Sequence, residues 1–320
     1  TTLRPYQSKM IQLWDDFERN GIFEMATGTG KTITALAAAT NLFHNIKKLF
    51  VIVCCPNSPL VNQWIKEAKD FGFLPVKAAG SYQSWHRKMR GLKIEFEQNL
   101  ITCGMVITNN QTLFDGNKKL MRYIEDLKDL PILFIADEVH NLGSNNIRKM
   151  LPKYFRYKIG LTATPKRYFD EAGTDALFEY FGQPLPIDPP VDLKFAIENK
   201  YLSPYRYIPK IVFLDDDETY RYHKITKEIN RMRHYRDNDD ESLKSKYRKR
   251  TAIINNASNK LYAFDKLLND IGKQSQSLFF VTEKQIDSVS DILINKHGYM
   301  IYRITSKFRN QYTEIINNFT

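Results

Sequence analysis

The sequence predicts an α/β protein built on a parallel sheet, and three observations predict it. Short apolar runs alternate with amphipathic stretches along most of the 320 residues, the pattern of strands joined by covering helices. A glycine-rich loop near the start opens directly into an apolar, helix-like run. A later apolar run ends in two adjacent acids.

Candidate strands lie at 49–55, 105–108, 132–136, 157–161, 208–214, 278–281 and 300–305. Each is apolar through most of its length, as a strand covered on both faces must be. Amphipathic segments at 60–71, 120–127 and 286–294 lie between them. The stretch with Pro184, Pro186, Pro189 and Pro190 reads as a connection between two bodies. It divides the chain into a first lobe at 1–182, a linker at 183–203 and an incomplete second lobe at 204–320. A charged, helix-prone insertion occupies about 217–268 of that lobe. Its cations include Arg221, Lys224, Lys227, Arg231, Lys244, Lys249 and Arg250.

Composition bounds the function classes. The length suits about two domains, and 42% hydrophobic with 26% charged residues suits a packed globule. No apolar run approaches the ~20 residues that cross a bilayer, so a membrane-spanning role is excluded. Cys54, Cys55 and Cys103 are odd in number and two are adjacent, which excludes a disulfide framework and predicts a reducing cytoplasm. No Cys/His set has zinc spacing. The net charge of +11 favours phosphate backbones or acidic membranes; a solvated basic face is the alternative on charge alone. The chain opens Thr-Thr, with no Met and no secretory signal, which predicts a piece of a longer protein.

The glycine-rich loop is Met25-Ala-Thr-Gly-Thr-Gly-Lys-Thr32. Gly28 and Gly30, with Thr27 and Thr29 between and before them, let backbone approach a phosphate closely. Lys31 can reach the β- and γ-phosphates, and the Thr32 hydroxyl can bind Mg²⁺. The apolar run at 33–42 continues as a helix, so its positive end faces the anion. The strict phosphate-loop pattern has Gly where this chain has Met25, and a glycine turn that binds nothing is the bland alternative. Ile132-Leu-Phe-Ile-Ala-Asp-Glu-Val-His140 removes most of its force. Asp137 stands where a strand-end carboxylate holds Mg²⁺, and Glu138 where a base positions an attacking water. The pair alone could be a solvated turn.

These motifs resemble superfamily 2 helicase cores, in the group of restriction-enzyme translocase subunits and XPB-type repair helicases. Leu3-Arg-Pro-Tyr-Gln7 resembles the adenine-reading Q motif, with Arg4 and Gln7 toward the base. Thr27–Thr32 matches motif I, and Asp137-Glu-Val-His140 is the DExH form of motif II. Gly160-Leu-Thr-Ala-Thr-Pro-Lys-Arg167 matches motif III. There His140, Thr162 and Thr164 would couple nucleotide state to a bound strand. Cys55-Pro-Asn-Ser-Pro-Leu-Val-Asn-Gln-Trp64 resembles motif Ia, and Ile107-Thr-Asn-Asn-Gln-Thr-Leu113 resembles motif Ib, with Asn109 where Thr is commoner. Leu278-Phe-Phe-Val281 resembles motif IV, and Ile304-Thr-Ser-Lys-Phe-Arg309 the motif after it.

The resemblance implies two RecA-like lobes, the second partial, and ATP with Mg²⁺. It implies a nucleic-acid partner, DNA by family likeness, held by Pro56, Asn57, Gln63, Thr108, Thr305 and Ser306. It also implies a restriction or phage-defence setting, and nuclease or other domains on the parent chain. Two family motifs that would follow Thr320, one carrying arginine fingers, lead to the expectation that this chain binds ATP and turns it over slowly. A nucleotide-gated binding module that does not translocate remains the second reading. A small-molecule kinase leaves Leu3–Gln7 and Gly160–Pro165 unexplained.

Overall fold

A computed structural model of the chain describes residues 2–168, 170–233 and 241–305. It divides into two compact units, Thr1–Tyr205 and Arg206–Thr320. The first unit thus runs past Gly182 and takes in the Pro-rich stretch.

The first unit contains α1 (Pro5–Asp16), β1 (Asn20–Glu24), α2 (Lys31–Ile46), β2 (Leu49–Cys55), α3 (Ser58–Asp70), β3 (Val76–Ala78), α4 (Tyr82–Glu97) and β4 (Cys103–Asn109). It continues with α5 (Asn110–Leu113), α6 (Lys119–Glu125), β5 (Ile132–Asp137), α7 (Asn145–Arg148), β6 (Tyr157–Thr162), α8 (Glu171–Phe181) and α9 (Leu193–Glu198). The strands form one sheet in the order β1-β6-β5-β2-β4-β3, and every pairing is parallel.

The apolar runs follow from this layering. Along β2, Leu49, Val51, Val53 and Cys55 join a core with Met10 and Trp14 of α1, Leu36 and Leu42 of α2 and Trp64 of α3. Phe50, Ile52 and Cys54 join the opposite core, with Met89 and Phe96 of α4 and Phe181 of α8. Strand side chains alternate faces, so two covered faces demand an unbroken apolar run. β1 and β3 escape that signal. One is five residues with a glycine, the other three residues long.

The Pro-rich stretch lies beside β1. Ile22 N–H donates to the Gln183 carbonyl (3.2 Å), Leu185 N–H to Ile22 (3.0 Å) and Ala26 N–H to Val191 (2.7 Å). Proline is tolerated at such an edge because only alternate residues bond to the neighbour. A Cβ at Gly21 would lie 2.6 Å from Leu185 Cδ2, so the glycine admits this edge segment.

The second unit contains α10 (Asp216–Arg233), α11 (Glu241–Asn255), α12 (Asn259–Ile271) and α13 (Ile286–Asp291). Among its described residues there is no strand ladder. The strands expected at 208–214, 278–281 and 300–305 are therefore corrected to segments without regular secondary structure. Phe279, Tyr299 and Ile301 pack on Leu268, Val289 and Leu293, while Ile211, Phe213, Leu278, Phe280, Met300 and Tyr302 are exposed. The apolar alternation is present, but only one face is covered. No helix among the described residues is long and apolar enough to cross a membrane.

Candidate active site

Three strand ends assemble the site at the carboxyl edge of the sheet. In the ladder Glu24 lies beside Thr162, and Asp137 beside Leu161. Neighbouring strands are about 4.8 Å apart. The loop after β1, the end of β6 and the acids after β5 are thus adjacent by topology, although far apart in sequence. This is the edge at which parallel α/β sheets take ligands.

The loop from Met25 to Gly30 is fixed from both sides. Met25 N–H donates to the Thr162 carbonyl at 3.0 Å, and the Thr29 hydroxyl donates to Ala26 at 2.6 Å. Gly28 and Gly30 have φ of 81° and 84°, a region in which a side chain is strained. A Cβ on Gly30 would also lie 2.7 Å from Gln7 Nε2. Lys31 and Thr32 begin α2, a sixteen-residue helix whose first N–H groups face the loop. Lys31 Nζ donates to the Met25 carbonyl at 3.3 Å, so the ammonium folds back over the loop.

The Q-like segment braces the same loop. Gln7 Oε1 accepts from Arg4 N–H at 2.9 Å, and Gln7 Nε2 donates to Thr29 and Gly30 carbonyls, each at 3.4 Å. Tyr6, which has no role in the sequence reading, donates its hydroxyl to the Thr29 carbonyl at 2.6 Å. Its apolar ring at helical spacing signals only core.

Asp137 is nearly buried. Its Oδ2 accepts from Trp64 Nε1 at 3.0 Å, and its Oδ1 from Glu138 N–H at 3.0 Å. Trp64 closes the motif Ia-like stretch, but nothing in local spacing joins it to an acid seventy-three positions away. Glu138 follows with φ 46° and ψ 56°. A non-glycine residue in this left-handed region is strained, and such strain gathers at functional sites. Glu138 Oε2 lies 3.5 Å from His140 Nδ1, and that nitrogen is 3.2 Å from Thr162 Oγ1. Thr162 in turn accepts from Thr164 N–H at 3.0 Å. The structure thus joins Glu138, His140, Thr162 and Thr164 in one chain of contacts. Arg167 ties this chain down by donating to the His140 carbonyl and, through Nε, to Asp170 at 2.8 Å.

The residues expected to contact nucleic acid are dispersed. Asn57 caps α3, accepting from Leu60 N–H at 3.2 Å. Gln63 is exposed and donates to Glu67 at 2.8 Å. Pro56 is half-buried, between β2 and α3. Thr108 is buried, and its hydroxyl donates to the Ala78 carbonyl at 2.6 Å, so that side chain braces the β3–β4 edge. Asn109 caps α5 and donates to Ser58 at 3.0 Å. A cavity of about 440 Å³ opens beside Ser58, Tyr82, Asn109, Thr112 and Lys119. Thr305 belongs to the second unit, and Ser306 lies outside the described residues. Burial raises the Cys54 and Cys55 thiols and pushes Cys103 up to about 11, so none is an activated thiolate.

Comparison with known proteins places the chain in a family. The chain is 26% identical over 222 residues to a protein described as a putative DNA 3'-5' helicase Rad25 from Halobacterium salinarum, covering 69% of this chain and 32% of that protein. It is 28% identical over 206 residues to a type I restriction enzyme EcoAI endonuclease subunit of Escherichia coli, covering 63% and 23%. It is 30% identical over 169 residues to the ATP-dependent DNA helicase MPH1 of Scheffersomyces stipitis, covering 51% and 15%. The chain spans a third or less of each of these relatives. The model of the family "Type III restriction enzyme, res subunit" matches residues 1–167, just over half the chain and all three strand ends of the site. The chain belongs to that family, and so to the superfamily 2 helicase cores.

Proposed function

We propose that this chain is the ATP-hydrolysing motor core of a DNA translocase or helicase. The observation that carries the reading is the meeting of three strand ends at one sheet edge: the Gly28–Thr32 loop, Asp137–Glu138, and Thr162. The residues fit Mg²⁺–ATP. Gly28 and Gly30 leave a backbone cradle that a Cβ would crowd, and Thr32 and Asp137 offer the hard oxygens that Mg²⁺ prefers. When bound, Mg²⁺ neutralises phosphate charge. Lys31 leaves the Met25 carbonyl for the β- and γ-phosphates. Asp137, oriented by Trp64, would hold the metal from the strand end. Glu138, turned outward by its left-handed backbone, orients the attacking water and takes its proton. His140, Thr162 and Thr164 carry the change in charge from Glu138 to the β6 end.

The DNA partner rests on the relatives' described activities and on the +11 charge. Pro56 and Asn57, next to Ser58 in the cavity wall, and Gln63 on α3 would offer main-chain and side-chain polar groups to a sugar-phosphate backbone. A restriction setting follows the family. The test is nucleotide calorimetry with DNA-stimulated turnover. Lys31→Ala abolishes ATP binding, while Glu138→Gln keeps binding and removes turnover. Unchanged ATP affinity in Lys31→Ala overturns the nucleotide site. Turnover in the parent chain that ignores DNA favours a nucleotide-gated binding module over a motor.

A further inference from the structure

Tyr201 stands outside every motif, yet it closes the nucleotide site from a new direction. It follows α9, whose first turn is capped by Asp192 Oδ1, which accepts from Phe195 N–H at 2.8 Å. The helix ends in a tight turn. Lys200 has φ 59°, and the Tyr201 and Leu202 N–H groups both donate to the Ala196 carbonyl, at 2.8 and 3.0 Å. That turn fixes the direction in which two consecutive side chains leave the helix. Leu202 meets the phosphate loop: a Cβ on Gly28 would lie 2.8 Å from Leu202 Cδ1. Tyr201 meets the Q-like segment: the Arg4 guanidinium carbon lies 3.8 Å from its ring centroid.

The Arg4 side chain is held at two points. Its guanidinium carbon sits over the Tyr201 ring, and its Nη1 donates to the Tyr6 hydroxyl at 3.1 Å. Tyr6 in turn donates to the Thr29 carbonyl of the phosphate loop at 2.6 Å. Tyr6 and Phe195 wall the Tyr201 ring, with centroids 5.6 and 6.2 Å away. Arg4 itself is exposed. A long cation on a protein surface normally samples many rotamers. Here it is held over an aromatic ring, two hydrogen bonds from the phosphate loop. Guanidinium planes stack on nucleobases as aromatic rings do.

We infer that Tyr201 is a positioning residue for the nucleotide base: it holds the Arg4 guanidinium flat, and the base stacks on the open side of that guanidinium. This rests on the phosphate loop being a nucleotide site. It adds that α9 and its turn belong to that site, and that the base is gripped by stacking beside the groups of Gln7. Tyr201 touches Arg4, and Arg4 touches the base.

The test separates base from phosphate. Calorimetry on the whole chain with Mg²⁺ measures ATP and inorganic tripolyphosphate, which has no base. Loss of one stacking contact weakens binding about tenfold. Tyr201→Ala is expected to weaken ATP by that factor and to shift tripolyphosphate by less than about twofold. Tyr201→Phe restores ATP affinity, because the ring suffices to back the guanidinium. Arg4→Gln, at an exposed position where folding is not at stake, gives the same pattern as Tyr201→Ala. Equal losses for both ligands overturn the inference and make Tyr201 a prop for the loop. An unchanged ATP affinity in Tyr201→Ala and Arg4→Gln also overturns it. A parent chain that binds neither ligand removes the phosphate-loop reading itself, and the inference falls with it.

Discussion

Phe134 in the first unit and Phe280 in the second sit in apolar runs of similar look, yet their surroundings are opposite. Phe134 is fully buried on β5, with the rings of Phe155 and Phe181 at 5.1 and 5.8 Å. Phe280 is 94% exposed, although its neighbour Phe279 packs on the cluster around Leu268. Met300 repeats the pattern at 89% exposed, between packed Tyr299 and Ile301. An apolar run states that a segment can be covered on both faces. Whether it is covered depends on helices elsewhere in the chain. The first unit supplies them on both sides of its sheet; the described part of the second packs one side only.

Backbone protection is the most sensitive probe of this contrast. Amides of β2 and β5 lie in parallel ladders between two cores and should open only with the whole unit. Those at 278–281 and 300–304 carry no ladder. Local opening spans from near zero to the global stability, so hydrogen exchange should differ by on the order of a thousandfold or more. Comparable protection in both places would show that the second unit's segments form a ladder in solution, and the contrast would vanish.

A pair of truncations probes the same contrast through stability. Phe134→Ala removes a ring from a closed core and should cost about 3–5 kcal/mol. Phe280→Ala removes a ring already in water and should stay within about 0.5 kcal/mol. Denaturant unfolding of both variants checks this, and equal losses would mean that Phe280 is covered.

The difference between the units also explains what the sequence disclosed. Lys31, Asp137 and Glu138 stood out in the sequence because phosphate and metal chemistry would demand those residue types next to particular turns, and the fold brings the loop after β1 and the end of β5 to one sheet edge. β2 and β5 were legible because two covered faces leave no polar position. Trp64 and Tyr201 were not legible. Their roles depend on contacts with Asp137 and Arg4 that the chain makes only after folding, and no local spacing encodes them. The stretch at 183–191 was opaque for another reason. Prolines and polar residues suit a connection and a sheet edge equally well, and only the bonds to Ile22 and Ala26 distinguish them. Thr108 shows the same limit: a hydroxyl in a motif looks available in sequence, and only the fold shows that its proton is donated to Ala78.

Trp64 sharpens the comparison within the first unit, since it is both core and site. Its ring belongs to the core beneath the sheet, and its Nε1 orients Asp137. A hydrogen bond to a charged group contributes about 1.5–3 kcal/mol. Trp64→Phe keeps most of the ring and deletes the donor. Turnover should fall about tenfold, the lower end of that range, with the Mg²⁺ requirement shifted to higher concentration. Loss of activity with an unchanged Mg²⁺ requirement would place the defect in packing instead.

The smallest effect lies in two surface carboxylates, one in each unit. Asp170 is held below the usual carboxylate range, first by the Arg167 hydrogen bond and then by the Gly173 N–H at the start of α8. Asp265 is held low by hydrogen bonds from Lys296 and then His297. A carboxyl whose pKa is lower folded than unfolded binds fewer protons when folded. Its contribution is complete above the ordinary carboxylate pKa and is lost as pH falls through the lowered one. Both pairs are near the surface, so each contribution is modest and shrinks with salt. Their consequences differ. Asp170 steadies Arg167, which grips the His140 carbonyl, so acid should loosen the Glu138–His140 turn before the sheet melts. Asp265 ties α12 to the chain after α13 and touches no site residue. Asp170→Asn should therefore mimic, at neutral pH, the loss of ATP turnover expected of the parent only once the pH falls below the ordinary carboxylate range, while Asp265→Asn flattens the acid limb of thermal stability and leaves turnover alone. Turnover of the two variants at neutral pH, beside the parent's unfolding followed down through the carboxylate range, decides it, and equal turnover in both variants would mean that Arg167 is held by packing rather than by charge.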